Sequence, residues 1–179
     1  QYYPMWKTFF EELGAEVVVS PRTTRDIVAS GCSRLTSDIC LPVKVFCGHV
    51  FSLVNKCDYI FIPSIYSVEP KVNYCPKFIG LPDLVKASIP ECPPILAPEI
   101  NADNGKRALY QTIYELGRPF TWNPLKIKKA SEKALEIDEA YQVQMQCAKL
   151  TSPQAIEEMF SQSREASRNN SFGSAISVA

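Results

Sequence analysis

Cys40-Leu-Pro-Val-Lys-Val-Phe-Cys-Gly-His-Val-Phe-Ser-Leu-Val-Asn55, followed after three residues by Tyr59-Ile-Phe-Ile-Pro63, is the passage on which the fold turns. In its first part Pro42 suits the opening turn of a helix. Val43, Phe46, Val50, Leu53 and Val54 recur at spacings of three and four and so share an apolar side. The second part is apolar without alternation, as a parallel strand covered on both faces requires. Upstream, Pro4 to Leu13 reads as a helix stopped by Gly14, and Glu16 to Ser20 as a short buried strand. Thr23 or Thr24 caps a helix through Ala29 that Gly31 ends. Downstream the pattern weakens into a strand at Phe78 to Gly80, a helix at Pro82 to Ser88 and a strand at Ile95 to Ala97. Amphipathic helices follow at Asn104 to Gly117 and from Pro124 to about Lys149. Another starts at Thr151 and fades into the polar stretch Ser161 to Ser171.

The alternation predicts an α/β chain, a Rossmann-like open parallel sheet with helices on both faces plus C-terminal helices. The expected division is a Rossmann-like domain over 1–122, a helical extension or linker over 123–170, and the start of a following unit over 171–179. Such a sheet normally opens on a strand, whereas this chain opens on a helix and closes on Ser174-Ala-Ile-Ser-Val-Ala, a strand-like run. The expectation is a piece of a longer protein that lacks its first strand.

Composition narrows the function. Lys plus Arg equals Asp plus Glu at 19 each, so no basic excess exists to hold a phosphate backbone or an anionic lipid surface. No apolar run reaches the roughly 18 residues of a membrane span, and no basic segment followed by an apolar one opens the chain. The expectation is a cytoplasmic protein with neither nucleic acid nor membrane as partner. The single histidine and the lack of Gly-x-Ser-x-Gly give no support to a serine hydrolase. Without a Gly-x-Gly-x-x-Gly or P-loop, ATP would belong to a partner.

Seven cysteines, at 32, 40, 47, 57, 75, 92 and 147, sit in a chain too large and too apolar to need disulfide staples. Cys47, Cys57 and Cys147 read as buried small hydrophobes. Cys40 and Cys75 each adjoin or closely precede a proline that ends or begins an element, which puts their thiols on loops where a ligand is within reach. Both loops are expected at the carboxyl edge of the sheet, where open α/β sheets bind ligands. Soft donors at that density point to an iron–sulfur cluster. The helix beginning after Cys40 would turn its positive end toward such an anion, and Lys44, one turn in, would add charge. Two readings stay open for His49, a packing histidine or a hydrogen-bonding group near the cluster, and Lys44 reads equally as a solvated residue. Zinc is the rival metal, but no Cys-x-x-Cys knuckle is present, and Cys47 and His49 lie two apart on a helix and point to different sides.

Tyr3-Pro-Met-Trp-Lys-Thr-Phe-Phe-Glu-Glu-Leu-Gly-Ala-Glu-Val-Val-Val-Ser, Cys40-Leu-Pro-Val-Lys-Val-Phe-Cys-Gly-His-Val, Asp58-Tyr-Ile-Phe-Ile-Pro and Asn73-Tyr-Cys-Pro together resemble the 2-hydroxyacyl-CoA dehydratase superfamily. Within it the resemblance is nearest to the domain associated with CoA-enzyme activases (DUF2229), whose relatives include the double-cubane-cluster reductases. The matched motifs span roughly residues 2 to 82. The resemblance implies a component of an iron–sulfur-dependent reductase or dehydratase system served by an ATP-dependent activase that delivers low-potential electrons. It implies Cys40 and Cys75 as metal ligands, with a third ligand from a further domain, and Lys44 and His49 beside the cofactor. A lone domain with two of three ligands holds its cluster poorly or has lost it. The alternative is a non-catalytic module that docks or regulates the activase, and a homodimer is left open.

Overall fold

The computed structural model describes residues 2–68, 71–148, 151–166 and 175–178. The chain is mixed α/β, and its strands lie in two parallel sheets. The elements are α1 (Tyr3–Leu13), β1 (Glu16–Val19), α2 (Arg25–Arg34), α3 (Leu41–Leu53), β2 (Tyr59–Phe61) and β3 (Ser64–Ser67). Then come α4 (Pro76–Ile79), α5 (Leu81–Ser88), β4 (Ile95–Leu96), β5 (Glu99–Asn101), α6 (Gly105–Gly117), α7 (Pro124–Ala148), α8 (Ser152–Ala166) and β6 (Ala175–Val178).

The larger sheet has the order β1-β6-β2-β4, every neighbour parallel. β2 shows why the Tyr59 run lacks alternation. Phe61 packs with Trp6, Phe9, Phe10 and Leu13 of α1 and with Ile127 and Ala130 of α7. Its neighbours Ile60 and Ile62 pack on the opposite side with Val43, Cys47 and Val50 of α3 and Leu81 and Val85 of α5. With a side-chain period of two and a core on each face, every position has to be apolar. The first core is aromatic: Phe61 lies 4.7 Å from Trp6 and 5.0 Å from Phe10, ring centre to ring centre, the latter edge to face. Fully burying each such ring contributes about 2 to 3 kcal/mol.

α1 ends where Gly14 turns left-handed (φ 96°) and donates its N–H to Glu11 O, which lets the chain reverse into β1. α7 lies along α1 through the small faces of Ala130 and Ala134, and Lys126 Nζ donates to Leu13 O at 3.1 Å. At the start of α2, Thr24 Oγ1 accepts from Ile27 N at 3.3 Å, which settles the cap between the two threonines. Thr24→Ala is expected to cost about 1 kcal/mol, read as a lowered urea midpoint with unchanged slope.

Three expectations need correction, and one feature was missed. Phe78 to Gly80 is not a strand: Pro76 begins the short helix α4, with Phe78 N donating to Cys75 O and Gly80 N to Pro76 O. α2 does not end at Gly31 but runs on to Arg34, because Gly31 is where α2 touches α3. β3 and β5, a two-stranded parallel sheet, were not expected from the sequence. The closing strand-like run does not open another unit, since Ala175–Val178 lies inside this sheet between β1 and β2. Of the polar stretch expected as a linker, residues to 166 complete α8, and 167–171 lie outside the described residues.

Candidate functional site at the carboxyl edge of the sheet

α3 runs into β2 and α5 into β4, so both helices are antiparallel to the strands and begin at the carboxyl edge. Cys40 is the residue before α3 (φ −64°, ψ 150°) and Cys75 the residue before α4 (φ −59°, ψ 131°). Both have extended backbone, which Pro76 directly enforces at Cys75 and which Cys40 adopts as the N-cap residue of α3, and each thiol is exposed. Their carbonyls are taken up by the helices they precede, Cys40 O by Lys44 N at 3.2 Å and Cys75 O by Phe78 N at 2.9 Å. The side chains are left for something else.

The arm that carries Cys75 is anchored by a polar junction. Ser67 is fully buried at the end of β3, where its Oγ donates to Asn101 Oδ1 at 3.3 Å and accepts from Ala102 N at 3.1 Å. Asn101 Oδ1 also accepts from Asp103 N, and Asp103 Oδ1 accepts from Lys71 N at 2.9 Å. Tyr74 N then donates to Tyr66 O at 2.9 Å, one residue before Cys75. Nothing in the spacing of Ser67 and Asn101 announced this junction, because the register of β3 on β5 creates it.

The other arm is set by the crossing of α2 on α3. A Cβ at Gly31 would stand 1.9 Å from Lys44 O, and one at Gly48 would stand 2.1 Å from Ile27 O. Backbone therefore meets backbone with no side chain between. Lys44 Nζ reaches back to Ser37 O at 3.4 Å, bracing the loop that leads to Cys40. It stands one turn from Cys40, as expected.

His49 is nine residues beyond Cys40, about 13 Å along the helix axis at 1.5 Å per residue. Its Nε2 pairs with Thr23 Oγ1 at 2.9 Å, while Nδ1 is buried without a partner. An orphaned buried acceptor costs less than an orphaned N–H, so the neutral ring carries its proton on Nε2 and donates to Thr23. Protonation would bury an unpaired Nδ1–H, and burial holds the His49 pKa below the usual imidazole value. A lowered folded-state pKa means that the unfolded chain binds the proton more readily, so stability present above about pH 6.5 is lost as pH falls through the folded value. The melting temperature is expected to drop between pH 7 and pH 5, and His49→Gln to remove part of that drop, measured by calorimetry.

The remaining cysteines divide by environment. Cys47 is fully buried in the core between α3 and β2, out of reach of any reagent, and burial pushes its thiol up to about 11. Cys47 and His49 face different surroundings, as the zinc argument required. Cys57 is half-buried and Cys147 exposed, so neither is the fully buried hydrophobe expected. Asp138 on α7 was missed altogether. Burial raises its carboxyl pKa, with Oδ2 accepting from Gln142 and Oδ1 unpartnered, and no signal in so charged a helix sets it apart.

Among the described residues no three or more His, Cys, Asp or Glu side chains gather as a metal ion would need. Two exposed thiols preceding helices therefore suit a soft metal in chemistry and fall short in number. A family model described as the CoA enzyme activase uncharacterised domain (DUF2229) matches residues 1–171. The chain belongs to this family. No curated protein and no solved structure matches it. No helix of this DUF2229 chain is long and apolar enough to cross a membrane among the described residues.

Proposed function

We propose that this DUF2229 domain is a Rossmann-like component of an activase-coupled reductase or dehydratase system of the 2-hydroxyacyl-CoA dehydratase kind. In this reading it supplies Cys40 and Cys75 to an iron–sulfur cluster completed by ligands outside the described residues. The observation that carries the reading is the matched pair of exposed thiols, each immediately before a helix with a proline in its first turn. Family membership supports the link to an activase. When bound, such a cluster supplies one-electron chemistry at low potential. The chain's own contribution is geometric and electrostatic. The positive end of α3 and the Lys44 ammonium one turn in face the loop where an anionic cluster would sit. The Ser67–Asn101 junction holds the Cys75 arm against the sheet edge. His49 fixes α3 against the loop before α2 through Thr23 rather than touching the ligand itself.

The second reading, a docking or regulatory module for the activase, draws on exposed Tyr110, Trp122 and Leu125 around α6 and α7. Anaerobic expression together with the adjoining domain, followed by iron and acid-labile sulfide analysis, separates the two. A brown protein with near-stoichiometric iron is expected. A colourless protein that still binds the activase would put the docking module in its place.

A further inference from the structure

The amino edge of the sheet holds two thiols that the candidate site does not use. β2 and β4 are parallel neighbours in the register Ile60↔Ile95, and Ile60 N donates to Pro94 O at 3.1 Å. Three residues back along each segment stand Cys57 and Cys92, so the two enter the sheet side by side with equal offset. Neighbouring strands lie about 4.8 Å apart, inside the roughly 4.4 to 6.8 Å between Cα atoms that a cystine spans. Both residues are half-buried and pack on the same core with Leu53, Ile60, Val85 and Ile89. Each is also fixed by a helix end: Cys57 Sγ donates to Leu53 O at 3.6 Å after α3, and Cys92 N donates to Ile89 O at 3.0 Å after α5. The thiols feel each other, since the Cys92 thiol is pushed up to about 11 by burial first and by the neighbouring Cys57 second.

We propose that Cys57 and Cys92 are a dithiol–disulfide pair, closed by exchange with a low-molecular-weight disulfide of the glutathione type. One protein thiolate attacks a sulfur of the oxidant, whose S–S bond breaks, giving a mixed disulfide and one released thiol. The second protein thiolate then attacks the protein sulfur of the mixed disulfide and expels the second thiol. Two protein thiols lose two protons and two electrons, and one oxidant disulfide becomes two thiols. The cystine closes the loop from 57 to 92, which contains β2, β3, α4, α5 and Cys75. Exposed Cys32, Cys40, Cys75 and Cys147 serve as the comparison and take up glutathione as mixed disulfides.

The test is made on the whole reduced chain, equilibrated at pH 8.5 with oxidised and reduced glutathione in a series of ratios, alkylated and digested with trypsin without reduction. Cleavage after Lys56, Lys71, Lys86 and Lys106 puts Cys57 in 57–71 and Cys92 in 87–106, each peptide with one cysteine. The expected product is 57–71 linked to 87–106, formed in more than about half of the chains at the oxidising end and lost on adding a dithiol reductant. In Cys57→Ser the linked peptide vanishes and Cys92 is recovered alkylated or glutathionylated. Recovery of Cys57 and Cys92 in the parent as separate alkylated or glutathionylated peptides, at ratios where the exposed cysteines are fully modified, would overturn the pairing. The readout involves no iron, so its failure leaves the Cys40 and Cys75 reading standing, and the reverse.

Discussion

Gly48→Ala lowers the stability of the fold by about 3 kcal/mol or more, the upper range of overpacking costs, because the new methyl has to displace backbone. A Cβ there stands 2.1 Å from Ile27 O and 3.0 Å from Ile27 C, and neither atom can turn aside as a side-chain end could. Relief requires α2 to move off α3. That movement would open the contact at Gly31, the Thr23–His49 hydrogen bond and the packing of Ile27 together. Gly80→Ala serves as the comparison, since its Cβ would meet nothing nearer than Pro76 O at 3.9 Å and its backbone is one that alanine adopts freely. The expected result in urea is a greatly lowered midpoint for Gly48→Ala and a midpoint within about 0.5 kcal/mol of the parent for Gly80→Ala. Equal midpoints for the two variants would mean that α2 and α3 do not meet in this way.

Cys40→Ala and Cys75→Ala, each made in a protein that includes the adjoining domain, are expected to reduce iron incorporation to background after anaerobic reconstitution, and Cys147→Ala to leave it at the parental level. A cluster held by three cysteines loses too many anchors when one is removed. Cys147 lies exposed near the end of α7, on a different part of the chain from the two helix starts that the proposal uses. Neither Cys40 nor Cys75 contributes to the buried core, so the loss of iron should come with an almost unchanged melting temperature. That pairing of readouts distinguishes a lost ligand from a lost fold. Parental iron in Cys40→Ala would refute the ligand assignment and favour the docking module.

The sequence made the helix–strand alternation legible wherever an element carried its own period or cap. Thr24, Pro42 and Gly14 each act locally, and the run Tyr59 to Pro63 could be apolar at every position only between two cores. It hid what depends on a distant partner. Gly31 has the look of a helix stop because glycine is poor inside helices, yet its role is set by Lys44 and Gly48 across the crossing. Phe78 reads as a strand residue only if Pro76 is ignored as a helix opener. β3 and β5 are short and mixed in character, and they exist because Pro63 and Pro98 end their parent strands together: Ser64 N donates to Pro98 O at 3.0 Å. In the site, the position of Cys40 before a helix followed from Pro42, and the loop placement of Cys75 from Pro76, but the helix after Cys75 did not. The anchoring of the Cys75 arm by Ser67 and Asn101, and the distance of His49 from Cys40, did not.

The order of strands in the larger sheet also governs how the protein is made. β6 lies between β1 and β2, with Glu16 opposite Ala175 and Tyr59 opposite Ile176. A nascent chain leaving the ribosome therefore holds β1 and β2 ready without the strand that joins them, each offering an unpaired edge to whatever strand it meets first. The helical layers can assemble early from contacts between near neighbours such as α2 and α3. Closure of the sheet waits until residues 175–178 have been made, a non-local step that is slow because its loop entropy is lost before any pairing is gained. During that interval the edges of β1 and β2 stay open to pairing with other chains, so refolding yield is expected to fall as protein concentration rises.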